Sequence, residues 1–164
     1  MQEKFFEACK NGDLNEVNRL LQVEGVDATA HNNFAIRWAS YKGHLEVVNR
    51  LLQIEGVDAT AWNNWAIQAA SRNGHLEVVN RLLQIEGVDA TADDNWAIRW
   101  ASRNGDLEVV NRLLQDPKVR ADSATLLKYL KETNQEYSNL YKLVEEMHNS
   151  KFKTTKSAGN RRCK

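Results

Sequence analysis

Glycine recurs at positions 12, 43, 74 and 105, one every 31 residues, and no other feature of this 164-residue chain constrains its fold as strongly. Set in register on those glycines, residues 43–73 and 74–104 are identical at 27 of 31 positions and differ only at Trp62/Asp93, Asn63/Asp94, Gln68/Arg99 and Ala69/Trp100. Identity at a fixed period of this length makes each unit one supersecondary structure that cannot bury its apolar face alone and is completed by its neighbours. The expected product is a solenoid.

Within a unit, Leu45-Glu-Val-Val-Asn-Arg-Leu-Leu-Gln53 places Leu45, Val48 and Leu52 on one stripe, widened by Val47 and Leu51, with Glu46, Asn49, Arg50 and Gln53 opposite. That is the spacing of an amphipathic helix. Glu46 with Arg50, and Glu77 with Arg81, are spaced i,i+4 with the acid first, a pairing that supports a helix by about 0.2–0.5 kcal/mol. A first helix precedes this one: Phe34-Ala-Ile-Arg-Trp-Ala-Ser-Tyr41 and its equivalents. Asn33, Asn64 or Asn95 stands before it, with a side-chain oxygen suited to capping the opening turn. Glycine between the two helices accepts positive φ and turns the chain sharply, which predicts an antiparallel hairpin. Gly56-Val-Asp-Ala-Thr-Ala61 connects one hairpin to the next.

Asn73-Gly-His-Leu-Glu-Val-Val79, Leu82-Leu83 and Gly87-Val-Asp-Ala-Thr-Ala92 resemble the second helix and following loop of the ankyrin repeat, and the resemblance covers roughly residues 5–120. It implies an all-α solenoid of about five stacked antiparallel helix pairs with short loops, working as a non-enzymatic protein-binding module. It also implies a structural role for His44 and His75. Two departures stand out. Where the family usually carries Thr-Pro-Leu-His, this chain has Phe34-Ala-Ile-Arg37, Trp65-Ala-Ile-Gln68 and Trp96-Ala-Ile-Arg99. The period of 31 is also shorter than the usual ~33, so the projecting β-turn fingers should be shorter. This variant is similar to arrays of large DNA viruses and of bacteria living inside host cells, which suggests an effector engaging a host protein.

Both ends should be adapted to close the stack. Glu16 stands where the repeats carry Val47, Val78 and Val109, so a charge replaces a valine that would have no preceding neighbour. After Asp116-Pro117 the repeat decays. Helical patterns over roughly 123–131 and 135–148, with Leu126, Leu127, Leu130, Leu140, Leu143, Val144 and Met147 as apolar stripes, predict a divergent C-terminal pair. The expected organisation is a repeat domain over 1–150, followed by a disordered basic tail over 151–164. That tail holds Lys151, Lys153, Lys156, Arg161, Arg162 and Lys164 with no acid, leaving 16 basic against 22 acidic residues in the body.

Catalysis has no support in the sequence. The histidines His31, His44, His75 and His148 are scattered, no pair has the i,i+4 spacing of a helical metal site, and neither Cys-x-x-Cys nor a glycine-rich phosphate loop occurs. No cofactor, metal or small-molecule substrate is expected. Cys9 and Cys163 lie far apart in sequence, and no run reaches the ~18–20 apolar residues of a membrane span. An intracellular monomer is therefore expected, in its own cytoplasm or delivered to a host's cytosol or nucleus.

The candidate protein-binding residues lie on the first helices and the fingers before them, which in the ankyrin family line the concave, partner-binding surface. On the first helix Ala35, Ile36 and Ala39 form a small stripe for close packing, and the other side carries Phe34, Arg37, Trp38 and Tyr41. The candidates are His31, Arg37, Trp38, Tyr41, Trp62, Gln68, Arg72, Asp93, Arg99, Trp100 and Arg103. Aromatic residues beside arginines are the types that dominate interface hot spots. Phe34, Trp65 and Trp96 read instead as packing between units. Two other readings are open: the basic tail could touch nucleic acid or anionic membrane, or the array could be a structural spacer.

Overall fold

The paired apolar patterns fold as paired helices. A computed structural model describes residues 1–132, 141–146 and 148–149. It contains α1 (Gln2–Asn11), α2 (Leu14–Leu20), α3 (Ala30–Lys42), α4 (Leu45–Leu51), α5 (Ala61–Arg72), α6 (Leu76–Leu82), α7 (Ala92–Asn104), α8 (Leu107–Gln115), α9 (Pro117–Ala121) and α10 (Ser123–Glu132), with no strand among the described residues. The first helices α1, α3, α5 and α7 pack side by side as an inner layer, and α2, α4, α6 and α8 follow as an outer layer.

Small residues set the inner layer's spacing. Ala35, Ile36 and Ala39, and the matching Ala66, Ile67, Ala70 and Ala97, Ile98, Ala101, are fully buried, so adjacent inner helices approach over alanine and interlock through isoleucine. In the outer layer the buried residues are Val47, Val48 and Leu51 and their equivalents, while Leu45 and Leu52 are only partly covered. The buried stripe is therefore rotated from the Leu45–Val48–Leu52 line, because each short outer helix must face both its own inner helix and the next outer helix. Burying one such Leu or Ile side chain stabilises by ~1.5–3 kcal/mol. Among the described residues no helix is long and apolar enough to cross a membrane.

Three kinds of side-chain bond recur at the junctions, and each uses a residue type that the repeat supplies. His44 Nε2 lies 3.0 Å from the Lys10 carbonyl, and His75 Nε2 lies 3.0 Å from that of Tyr41. A carbonyl only accepts, so each ring holds its proton on Nε2. Asp106 occupies the same position in the next unit and cannot donate; there Asn104 Nδ2 reaches the Arg72 carbonyl instead, at 2.6 Å. The histidine also explains the glycine one repeat before it. Gly43 has φ +79°, and a Cβ there would lie 2.5 Å from the His75 ring.

The outer helices are joined by Arg50 Nε to Asn18 Oδ1 at 2.7 Å, Arg81 to Asn49 at 2.8 Å and Arg112 to Asn80 at 2.6 Å. The expected Glu46–Arg50 and Glu77–Arg81 pairs do not form, since the arginines serve the junction. In the first unit the equivalent Arg19 pairs with Glu16, three residues before it and in the register where the repeats carry valine, at 2.6 Å. The third bond corrects the role expected for Asn33 and Asn64. Neither caps its own helix; Asn33 Oδ1 accepts from Asp58 N at 2.8 Å and Asn64 Oδ1 from Asp89 N at 2.7 Å, fastening each unit to the next connector. Asn95 has no such connector ahead of it and donates through Nδ2 to Asp122.

Beyond α8 the chain forms a helix the sequence reading did not anticipate. Asp116 accepts from Lys118 N and Val119 N and Pro117 opens α9, a capped start in place of the decay expected there. The described part of the segment expected over 135–148 is helical at 141–146 and 148–149. Leu126 and Val144 are buried, with Leu127 and Leu143 partly so. The expectations for residues 135–140, Leu130, Met147, and the 151–164 tail with Cys163 concern residues or side chains outside those described.

Candidate recognition face

A left-handed turn lies in the first residues of α3, α5 and α7, before their right-handed part. His31, Asn32 and Asn33 have φ of 56°, 54° and 58°; Trp62, Asn63 and Asn64 have 56°, 54° and 63°; Asp93, Asp94 and Asn95 have 54°, 55° and 62°. Asn and Asp tolerate this region best among residues with a Cβ, but normally as single residues. Three in succession cost of order 1–3 kcal/mol each, so the surroundings must hold them. A backbone bond closes each turn, from Asn33 N to Thr29 O at 2.9 Å in the first. The residue four after the last turn position then reaches back to the turn's carbonyls. Arg37 donates to Asn32 O at 3.0 Å and His31 O at 3.1 Å, Gln68 to Asn63 O at 2.9 Å, and Arg99 to Asp93 O at 3.2 Å. This compact turn stands where shortened β-turn fingers were expected.

Those bonds reassign part of the candidate set. Arg37 and Gln68 are each only 5% exposed and brace the turns from inside. Burial draws the Arg37 guanidinium below the usual arginine pKa. Arg99 is half-buried in the same role. Asp93 is exposed but accepts from Asn63 at 2.6 Å and Gln68 at 2.9 Å, tying the second turn to the third.

The remaining candidates come together on the inner-helix face. Trp62 is 61% exposed, and its ring lies over the Arg37 guanidinium at 4.2 Å. Trp38 is half-buried and meets Phe34 at 5.6 Å, Tyr41 at 5.1 Å and Trp65 at 6.2 Å, while His31 rests on Phe6 at 5.4 Å. His31, Phe34, Trp38, Trp62 and Trp65 line an open groove of about 470 Å³. Ala69 interrupts the aromatic run; beyond it Trp96 and Trp100 lie 5.4 Å apart, and Trp100 has the guanidinium carbons of Arg72 at 4.6 Å and Arg103 at 4.9 Å. Phe34, Trp65 and Trp96 are half-buried, packing inward and edging the face at once. Lys10, 5.6 Å over Trp38, and Lys42, 5.4 Å over Tyr41, belong to the face but were not among the candidates. The signal for Lys10 was its register, since Lys10, Tyr41, Arg72 and Arg103 are spaced by one period.

Flat rings with cations laid over them suit burial of apolar side chains and contact with anionic groups. Among the described residues, no group of three or more His, Cys, Asp or Glu side chains could hold a metal ion. Cys9 is fully buried in α1, and burial pushes its thiol up to about 12, far from a nucleophile's range.

No curated protein matches the chain. A family model described as ankyrin repeats, in three copies, matches residues 5–94 and again 36–125, which together span most of the sequence. With the stacked helix pairs and the junction histidines already in place, that match shows that the chain belongs to the ankyrin repeat family.

Proposed function

We propose that the inner-helix face, centred on Trp62, Trp38, Tyr41, Arg72, Trp100 and Arg103, is where this interaction module takes its protein partner. Ankyrin repeats are protein–protein interaction modules. The observation that carries the reading is the location of the differences. The four positions at which residues 43–73 and 74–104 diverge all fall on an inner helix or on the left-handed turn before it. The outer helices α4 and α6 have the same sequence. Variation confined to one face of a repeated scaffold supports recognition there. So does a tryptophan held exposed in a backbone region that disfavours bulky residues.

The test is partner capture by immobilised protein. The triple variant Trp62→Ala/Trp100→Ala/Arg103→Ala should lose the proteins that the parent retains, while its helical circular dichroism stays unchanged. Undiminished capture by the triple variant refutes the assignment of this face.

A further inference from the structure

The carboxylates of the repeats are distributed unevenly. Residues 34–42, 65–73 and 96–104, the right-handed parts of α3, α5 and α7, carry Arg37, Lys42, Arg72, Arg99 and Arg103 and no Asp or Glu, whereas α1 carries Glu3 and Glu7. The acids lie elsewhere: Glu46, Glu77 and Glu108 on the outer helices, and Glu55, Asp58, Glu86 and Asp89 in the connectors. An acidic body thus presents one cationic and aromatic face.

Within that face the charges are ordered. Lys10, Tyr41, Arg72 and Arg103 occupy equivalent positions on α1, α3, α5 and α7, so they form a row crossing the stack with one residue per inner helix. Arg72 and Arg103 are both exposed, and both lie on Trp100. Glu7 is paired with Lys10 at 3.3 Å, and Asp93 is held by Asn63 and Gln68, with exposed Asp94 in the turn beside it. Exposed arginines are gathered at the Arg72–Trp100–Arg103 end of the face, and aromatic rings at the Trp38–Tyr41–Trp65 end.

Resting on the recognition face proposed above, we infer that its occupant is an extended acidic segment of a protein partner. Its carboxylates lie on Arg72 and Arg103, and an apolar side chain sits on the Trp38–Tyr41–Trp65 cluster. Packed helices stand ~8–10 Å apart, and an extended polyproline II chain rises ~3.1 Å per residue with three residues per turn, so acids at every third position share one side of the segment and match the row.

The experiment is fluorescence anisotropy with the labelled peptide (Glu-Leu-Ser)4, its neutral counterpart (Gln-Leu-Ser)4, and single-stranded dT12. The Glu peptide is expected to bind about tenfold or more tightly than the Gln peptide, with affinity falling as salt rises, because exposed charges are screened. Arg72→Gln/Arg103→Gln should lose about tenfold in affinity for the Glu peptide. Arg81→Gln on the outer layer should lose nothing, with the helical spectrum of both checked first. Equal binding of the Glu and Gln peptides, an unaffected double variant, or tighter binding of dT12 than of the Glu peptide each overturns the acidic-segment inference. Any of these results with capture still abolished by the triple variant leaves the recognition face standing and removes only its occupant.

Discussion

The two layers of the stack treat the same 31-residue repeat in opposite ways. Outer helices α4 and α6 share one sequence, and their polar residues are committed to the junctions through Arg–Asn bonds. Inner helices α3, α5 and α7 share the buried Ala-Ile-x-x-Ala frame but change at positions around it, some on the face and some, such as Gln68 and Ala69, buried, and each begins with a left-handed turn. The contrast teaches that stacking and surface chemistry are separable in this chain. Most junction bonds use residues that the repeat fixes, with Asp106 in the histidine position and the Asn63–Asp93–Gln68 tie as exceptions.

That comparison can be broken at several levels. The deepest cut removes a core residue from either layer. Ile67→Ala in α5 and Leu82→Ala in α6, both fully buried, should each cost ~2–5 kcal/mol in urea unfolding. A cost confined to one layer would mean that only that layer holds the stack.

Glycine distinguishes a junction from a bare turn. Gly43 and Gly105 have similar φ, +79° and +81°, but only at Gly43 would a Cβ strike a histidine ring, while at Gly105 nothing lies within 4 Å. Gly105→Ala should cost only the left-handed backbone penalty of ~1–2 kcal/mol. Gly43→Ala should cost measurably more by the same thermal or urea assay, and equal losses would remove the histidine contact from the account.

Cys9 gives the inner layer a pH signature. Burial raises its thiol from 9.0 to about 12, so its contribution to stability is complete below pH 9 and is lost as pH rises from 9 towards 12. The loss has a limiting slope of ~1.4 kcal/mol per pH unit. Cys9→Ala should abolish that slope in urea titrations across this range, whatever it does to stability at pH 7.

The smallest effect is expected on the outer surface, where Arg81→Ala breaks its bond to Asn49 and should cost ~0.5–1.5 kcal/mol. An Asn49→Ala change on top of it should add less than it costs alone, because both remove one interaction.

Much of the frame was legible because it depends on spacing. The glycine period, the Ala35–Ile36–Ala39 stripe and the helix pairing all follow from periodicity that the sequence displays directly. What escaped depends on partners about one repeat away. Arg50 has an acceptable local partner in Glu46, but its chosen one, Asn18, is 32 residues back. Asn33 looked like a cap for its own helix and instead holds Asp58. The left-handed turns combine a weak local preference of Asn and Asp with back-bonds from Arg37, Gln68 and Arg99, so neither part alone announces them. For the same reason Arg37 and Gln68 read as surface residues although they are buried. Asp116-Pro117 was read as an ending, although Pro after a capping Asp is equally the start of a helix, here α9.

Amide hydrogen exchange on the parent and on Trp62→Ala/Trp100→Ala/Arg103→Ala tests most directly the claim that the stack holds without the side chains on its face. Equal protection through α4, α5 and α6 in both proteins is predicted, since those amides should open only with the array as a whole. A collapse of protection in α5 and α6 of the variant would contradict it, because the face residues would then be part of what holds the repeats together.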